Sequence, residues 1–260
     1  TTYHGAAGRS AAAIGNCYCR GKLNFMEASQ SRTQHGHASD FRPHRQLPVG
    51  ADVLASGGVH FRVWASRRQH VEVILEDRPG YHPGVEPISI VLEPEGDGYF
   101  LGLVPEVSAG TLYRYRLDGG TESYPDAASR FQPHGPHGPS QVVNPGAFQW
   151  YDQDWRGVPL EGQVLYEMHV GTFTPAGTWE TAIGELLTLA ELGVTVLEIM
   201  PIADFSGRFG WGYDGVNLFA PTHLYGTPDD CRRFIDQGHA LGLGVILDVV
   251  YNHVGADGNF

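Results

Sequence analysis

Long hydrophobic runs are missing from this sequence, and no apolar stretch approaches the roughly 20 residues that a membrane-spanning helix needs. No basic start, apolar middle and small-residue cleavage site marks a secretory leader. Cysteine is scarce: Cys17, Cys19 and Cys231 are the only three in 260 residues. They supply neither a disulfide framework nor a paired CxxC metal site, so a reducing, cytoplasmic compartment is the expectation. Basic charge is short as well. Seventeen Lys and Arg against 29 Asp and Glu leave a net charge of −12. That balance argues against a nucleic-acid partner, which needs a basic patch on its binding face, but not against a neutral ligand. What is present is ordinary for a globular protein, 42% hydrophobic and 18% charged residues, enough for one large core or two smaller ones.

Residues 1–45 lack hydrophobic periodicity and are rich in Ala, Gly, Ser, His, Gln and Arg. They read as a disordered or artefactual tail. The first residue is Thr1 and the first methionine is Met26, which places residues 1–25 under that same reading. His35, His37 and His44 fit no standard metal spacing.

Residues 46–120 have period two. Val59 to Val63 and Tyr113 to Leu117 alternate apolar and polar side chains, and Val71 to Leu75, Ile88 to Leu92 and Tyr99 to Val104 lie between them. Turns fall at Gly57-Gly58, Pro79-Gly80, Gly96-Asp97-Gly98 and Gly119-Gly120. Closely spaced strands with one apolar face and no intervening helix predict an antiparallel β-sandwich. Residues 121–160 form a connector so dense in Pro and Gly that helix and central strand are excluded, and a rigid surface loop is expected.

From 161 to 260 the period changes. Val164 to Val170 reads as a strand, and Trp179 to Leu192 as a helix with Thr178 at its N-cap and Gly193 at its end. Val194 to Met200 is a second strand. A helix opening on Thr227-Pro228-Asp229-Asp230 and a third buried strand, Val245 to Val250, follow. Strand, helix, strand, helix, strand makes two βαβ units and a parallel sheet.

In such a layout binding residues sit where strands end. Glu167 and His169 at the first exit are either functional or hydrogen-bonded within the wall. The long loop from Pro201 to Pro228 holds Phe205, Phe209, Trp211, Tyr213, Phe219 and Tyr225. Those rings are either a satellite core or platforms for the apolar faces of sugar rings. Asp248, leaving an apolar strand, needs a partner if buried. Asn252 and His253 bring groups that suit hydroxyls, while Asp248 with His253 also suits a metal.

At these residues the chain resembles the α-amylase superfamily. Asp248-Val-Val-Tyr-Asn252-His253 matches the first of that family's short signatures. Gly210-Trp-Gly-Tyr-Asp214, with Phe219-Ala-Pro221 and Leu224-Tyr-Gly226, resembles the loop after its second strand. Phe61-Arg-Val-Trp64 is similar to the carbohydrate-binding, isoamylase-type N-terminal domain of branching and debranching relatives. Leu47-Pro-Val-Gly50, Arg130-Phe-Gln-Pro133, His137 to Val143 and Tyr166 to Thr174 look like malto-oligosyltrehalose trehalohydrolases more than glycogen branching enzymes.

The resemblance implies an immunoglobulin-like β-sandwich followed by the first three βα units of a (β/α)8 TIM barrel, truncated. It implies release of trehalose from a maltooligosaccharide ending in a trehalosyl unit. Tyr213 then lies against the sugar at the cleavage subsite, His253 donates to its hydroxyls with Asn252 beside it, and Trp211 and Asp214, in the same substrate-binding set, hold the loop in shape. Asp248 takes a structural part. No cofactor or metal is implied, and Asn252 is not carried over as a calcium ligand. The nucleophile and acid/base of the family lie on later strands, beyond Phe260, so this chain alone is expected to be inactive. The rival readings are a glycogen branching enzyme, a non-catalytic glucan-binding protein and a metal-dependent barrel hydrolase.

Overall fold

The computed structural model describes residues 44–77 and 87–260. Cys17, Cys19, Met26, His35, His37, the turn at Pro79-Gly80 and nearly all of the expected tail lie outside the described residues.

The period-two segment folds into two antiparallel sheets. One has the order β1 (Gly50–Val53), β2 (Val59–Trp64), β6 (Tyr99–Val104), β5 (Glu93–Gly96). The other runs β4 (Ile88–Val91), β3 (Val71–Asp77), β7 (Leu112–Leu117), β8 (Ser123–Tyr124), with β9 (Ser140–Gln141) also on β7. Val59, Phe61, Val71, Val73, Leu75, Phe100, Tyr113 and Tyr115 fill the space between them. Phe61 meets Tyr113 edge-on at 5.1 Å. β5 holds Glu93, Pro94 and Glu95 at a sheet edge, where charge and proline discourage further pairing.

Two sequence expectations change here. Arg45 is no part of a loose tail: its guanidinium reaches Leu47 O, Gly50 O and both Nδ1 and O of His60. Because guanidinium only donates, His60 Nδ1 must accept. Burial and then Arg45 push that imidazole down to about 4, so it is neutral at pH 7.

The connector is no surface loop either. Its β8 and β9 extend the second sheet, and Asp126, Ser129, Phe131, Gln132, Ser140 and Val142 are buried. Tyr113 Oη donates to Asp126 Oδ2 at 2.7 Å, Ala128 N donates to Asp126 Oδ1, and Ser140 Oγ accepts from Asp126 N. Prolines kept these strands short without keeping them out of the sheet. Buried polar side chains, invisible to a hydrophobic pattern, anchor them.

Beyond residue 160 three strands form a parallel sheet, β10 (Leu165–Met168), β11 (Val196–Ile199) and β14 (Gly244–Leu247), in that order. Helices α1 (Val170–Phe173), α2 (Trp179–Ile183) and α3 (Leu186–Leu192) lie between β10 and β11. Helix α4 (Pro228–Ala240) leads into β14. The single helix expected over 179–192 is two, parted at Gly184–Glu185, and Gly193 (φ +96°) ends the second in the left-handed region. Trp179, Leu186, Leu197, Ile199 and Phe234 form the core between sheet and helices.

α4 begins where its sequence signal put it. Thr227 Oγ1 accepts from Asp230 N (3.2 Å) while Asp230 Oδ2 accepts from Thr227 N (2.8 Å), a reciprocal capping box. Thr227→Ala is therefore expected to cost about 1 kcal/mol, seen in urea denaturation of the purified protein as a lower midpoint at unchanged slope.

The third strand, read from its apolar run as a buried type, has an open edge and an apolar face among the described residues. β14 pairs with β11 on one side only, and Ile246, Leu247 and Val249 are exposed. Asp248 is half-buried and its N–H donates to Ile199 O at 2.9 Å. Beyond β14 the chain continues as loop without a further helix among the described residues.

Candidate functional site

Two long loops leave the C-terminal ends of β11 and β14. The first contains a small antiparallel pair that periodicity did not reveal, β12 (Ala203–Asp204) and β13 (Asn217–Pro221). Its aromatic residues divide. Phe205 (3% exposed) and Tyr225 (4%) are core, whereas Phe209 (88%), Trp211 (70%), Tyr213 and Phe219 are exposed. The satellite-core reading thus holds for Phe205 and Tyr225, and the other four rings are left open to solvent.

The exposed rings ride on a backbone held in place at several points. Gly212 adopts φ +86° with its Cα against the Pro201 carbonyl, so closely that a Cβ would fall inside the carbonyl's van der Waals shell. His169 Nε2 lies 3.0 Å from Gly210 O, an atom that can only accept, so Nε2 carries the proton. Tyr225 Oη is 2.9 Å from the same nitrogen, and Nδ1 is left to accept from Thr172 Oγ1 at 3.0 Å. Burial raises the Tyr225 phenol to about 12. His169 thus hydrogen-bonds as the wall reading expected, yet its partner is the aromatic loop. Glu167 is exposed.

The second loop is joined to the first: Gly255 N donates to Gly215 O at 3.0 Å. This bond brings the segment ending in Tyr213 and Asp214 alongside the segment ending in Asn252 and His253. All four side chains, with Trp211, belong to exposed residues. Asn252 Oδ1 accepts from His253 Nδ1 at 3.1 Å, which leaves Nε2 of the neutral ring able to accept a hydroxyl proton. Trp211, expected to help hold the loop in shape, projects too far into solvent to do so; the glycine contacts and His169 perform that task. Asp248 stands at the root of the second loop.

A further tie was not foreseen. Asp257 accepts from Ser206 of the first loop and pairs with His137 of the connector at 3.0 Å. Ser206, then His137, hold the Asp257 carboxyl below its ordinary value. Arg130 of the connector lies over the Phe219 ring at 4.6 Å. These residues are remote in sequence, and although Arg130, His137 and Phe219 lie in stretches that carry the resemblance, no local pattern pairs them with their partners. Among the described residues no group of three or more His, Cys, Asp or Glu side chains is arranged to hold a metal ion.

Comparison with known families fits this geometry. Residues 48–133 match carbohydrate-binding module 48, the isoamylase N-terminal domain, and residues 140–260 match the catalytic domain of α-amylase. Over residues 140–260 the chain is similar to the α-amylase family. It is also similar to the malto-oligosyltrehalose trehalohydrolases of Saccharolobus solfataricus (45% identity, covering 80% of this chain and 35% of the relative) and Deinococcus radiodurans (45%, 82% and 33%). A crystal structure assigned as an α-amylase from Salmonella typhimurium superposes with a TM-score of 0.75 at 47% identity, covering 82% of this chain and 34% of that one. The chain thus spans about a third of the length of these α-amylase-family relatives. Among the described residues no helix is long and apolar enough to cross a membrane.

Proposed function

We propose that this chain supplies the carbohydrate-binding sandwich and the first three strands of an eight-stranded barrel to a glycoside hydrolase. That enzyme cleaves the α-1,4-glucosidic bond next to the terminal trehalose of a maltooligosyltrehalose and releases trehalose. The observation that supports the reading is the bond between Gly255 N and Gly215 O, which joins the two strand-exit loops that carry exposed Tyr213 and His253. Tyr213 offers a flat apolar face with a polar tip, suited to a sugar ring. His253 offers Nε2 as acceptor when neutral and as donor when protonated. Asn252 fixes the imidazole, and Trp211 and Asp214 border the same loop.

Retaining hydrolysis needs two carboxyl groups about 5 Å apart flanking the bond. Asp257 is engaged by Ser206 and His137, and Asp248 sits at a strand end, so neither these nor Asp214 is assigned to the chemistry. The nucleophile and acid/base are placed in the two thirds of the relatives' length that this chain does not span. A cytoplasmic location is part of the same reading and rests on the cysteine content.

In the full-length protein, Tyr213→Ala and His253→Ala should each weaken maltooligosaccharide binding about tenfold, the equivalent of 1.4 kcal/mol, with the melting temperature unchanged. Titration calorimetry alongside product analysis checks this. Unaltered affinity in both variants would remove the site, and new α-1,6 branches in place of free trehalose would move the protein to the branching enzymes.

A further inference from the structure

The first loop closes on a polar cluster at the junction of β12 and β13. Asp204 is fully buried, and Asn217 is its partner in the strand register. Its main-chain O accepts from Val216 N at 2.8 Å, so Asp204 ties together the two ends of the segment that carries Phe209, Trp211 and Tyr213. Its Oδ1 faces His223 Nδ1 at 3.4 Å, across the 3-10 turn His223–Tyr225. Its Oδ2 has no hydrogen-bond partner among the described residues, and neither has Asn217 Nδ2. Thr222 and Asn217 stand close enough to favour the charged form, although neither meets hydrogen-bond geometry with Oδ2.

We propose that Asp204 is a positioning residue for glucan binding, whose protonation closes the neck of the aromatic loop and whose ionisation loosens it. The inference rests on the glucan reading of that loop. A buried carboxylate with one oxygen unpaired is costly, while the neutral acid is tolerated there and can donate. His223 is the titratable group that faces it, and connector residue Gly135 packs behind the His223 ring. Two residues further along the loop, Ser206 attaches the pair Asp257 with His137. Burial raises the Asp204 carboxyl to about 6, against the pull of His223. A folded-state value above the ordinary 3.8 means that the stabilising contribution is complete below about 4 and lost as pH rises through about 6. The neck is therefore firmest in mild acid.

The test compares the full-length protein with Asp204→Asn and Asp204→Ala from pH 4.5 to 8, reading maltooligosaccharide affinity and, without ligand, tryptophan fluorescence. In the parent, affinity should fall three- to tenfold as pH rises through 6, with a fluorescence change of the same midpoint. Asp204→Asn, which mimics the neutral acid, should hold the acid-side affinity at every pH and lose the fluorescence transition. Asp204→Ala should bind weakly throughout. An asparagine variant that keeps the parent's pH profile overturns the inference, as does one that loses affinity equally at all pH values. Should Tyr213→Ala bind as the parent does at every pH, the glucan reading fails. The ligand-free fluorescence then decides the coupling by itself.

Discussion

Gly212→Ala is expected to disrupt the aromatic loop and abolish measurable glucan binding. Gly212 sits at φ +86°, where any side chain is strained, at roughly 1–3 kcal/mol for a forced non-glycine residue. The larger effect is steric. A Cβ at Gly212 would lie 2.5 Å from the Pro201 carbonyl carbon and still nearer its oxygen. Both are main-chain atoms at the end of β11, so no flexible side chain can yield. The loop must lift, and Trp211 and Tyr213 lift with it. Gly207 provides the control, since it has φ +89° in the same loop but nothing within 4 Å of an added Cβ. Gly207→Ala should then cost only that backbone strain, roughly 1–3 kcal/mol, leaving affinity within a factor of two or three. Equilibrium unfolding and calorimetric titration of the two variants side by side would decide the matter. Equal behaviour would mean that the close approach at Pro201 is not what shapes the loop.

The second large effect is expected from Trp179→Ala. Trp179 is 1% exposed, stands 5.2 Å from the Phe234 ring and 6.2 Å from the Tyr225 ring, and opens α2. Removing a buried aromatic side chain of this size leaves a cavity and should cost about 3–5 kcal/mol. The loss should not stay local. Tyr225 leans on Trp179 and reaches His169, and His169 holds Gly210 beside Trp211. Affinity for maltooligosaccharides should therefore fall together with the urea midpoint, unlike in Tyr213→Ala. A destabilisation below about 1.5 kcal/mol would show that the neighbouring helices collapse into the space.

Much of the architecture was legible because burial imprints a period. Val59 to Val63 and Tyr113 to Leu117 alternate and became strands, as did the shorter run Val71 to Leu75, and Thr227-Pro228-Asp229-Asp230 announced the start of α4 to the residue. What escaped was built from polar groups or from geometry. β1 spells Gly-Ala-Asp-Val and carries a buried Asp52 that accepts from Gln46 N and Leu47 N. β8 and β9 lie in a proline-rich stretch and are secured by Asp126 and Ser140 rather than by apolar side chains. The short pair β12 and β13 hid in a loop, because two residues on one side are too few to show a period.

For the site, sequence signatures marked Tyr213, Asn252 and His253, and the bond between Gly215 and Gly255 brings their segments together. Asp204, Ser206 and Asp257 carried no such mark, since their meaning lies in contacts between distant segments. Asp248, read as needing a partner if buried, is half-buried just past the end of β14.

The shared use of the connector has a consequence for how the protein can be taken apart. A sandwich cut at residue 120 would lose β8, β9 and the Asp126 carboxyl, leaving Tyr113 Oη without its acceptor inside an apolar layer. The smallest piece that keeps its second sheet whole must run past Val142. Yet the same stretch carries His137 and Arg130, which reach Asp257 and Phe219 on the far side. Each half thus owns part of the strip between them, and neither can be excised without leaving the other torn.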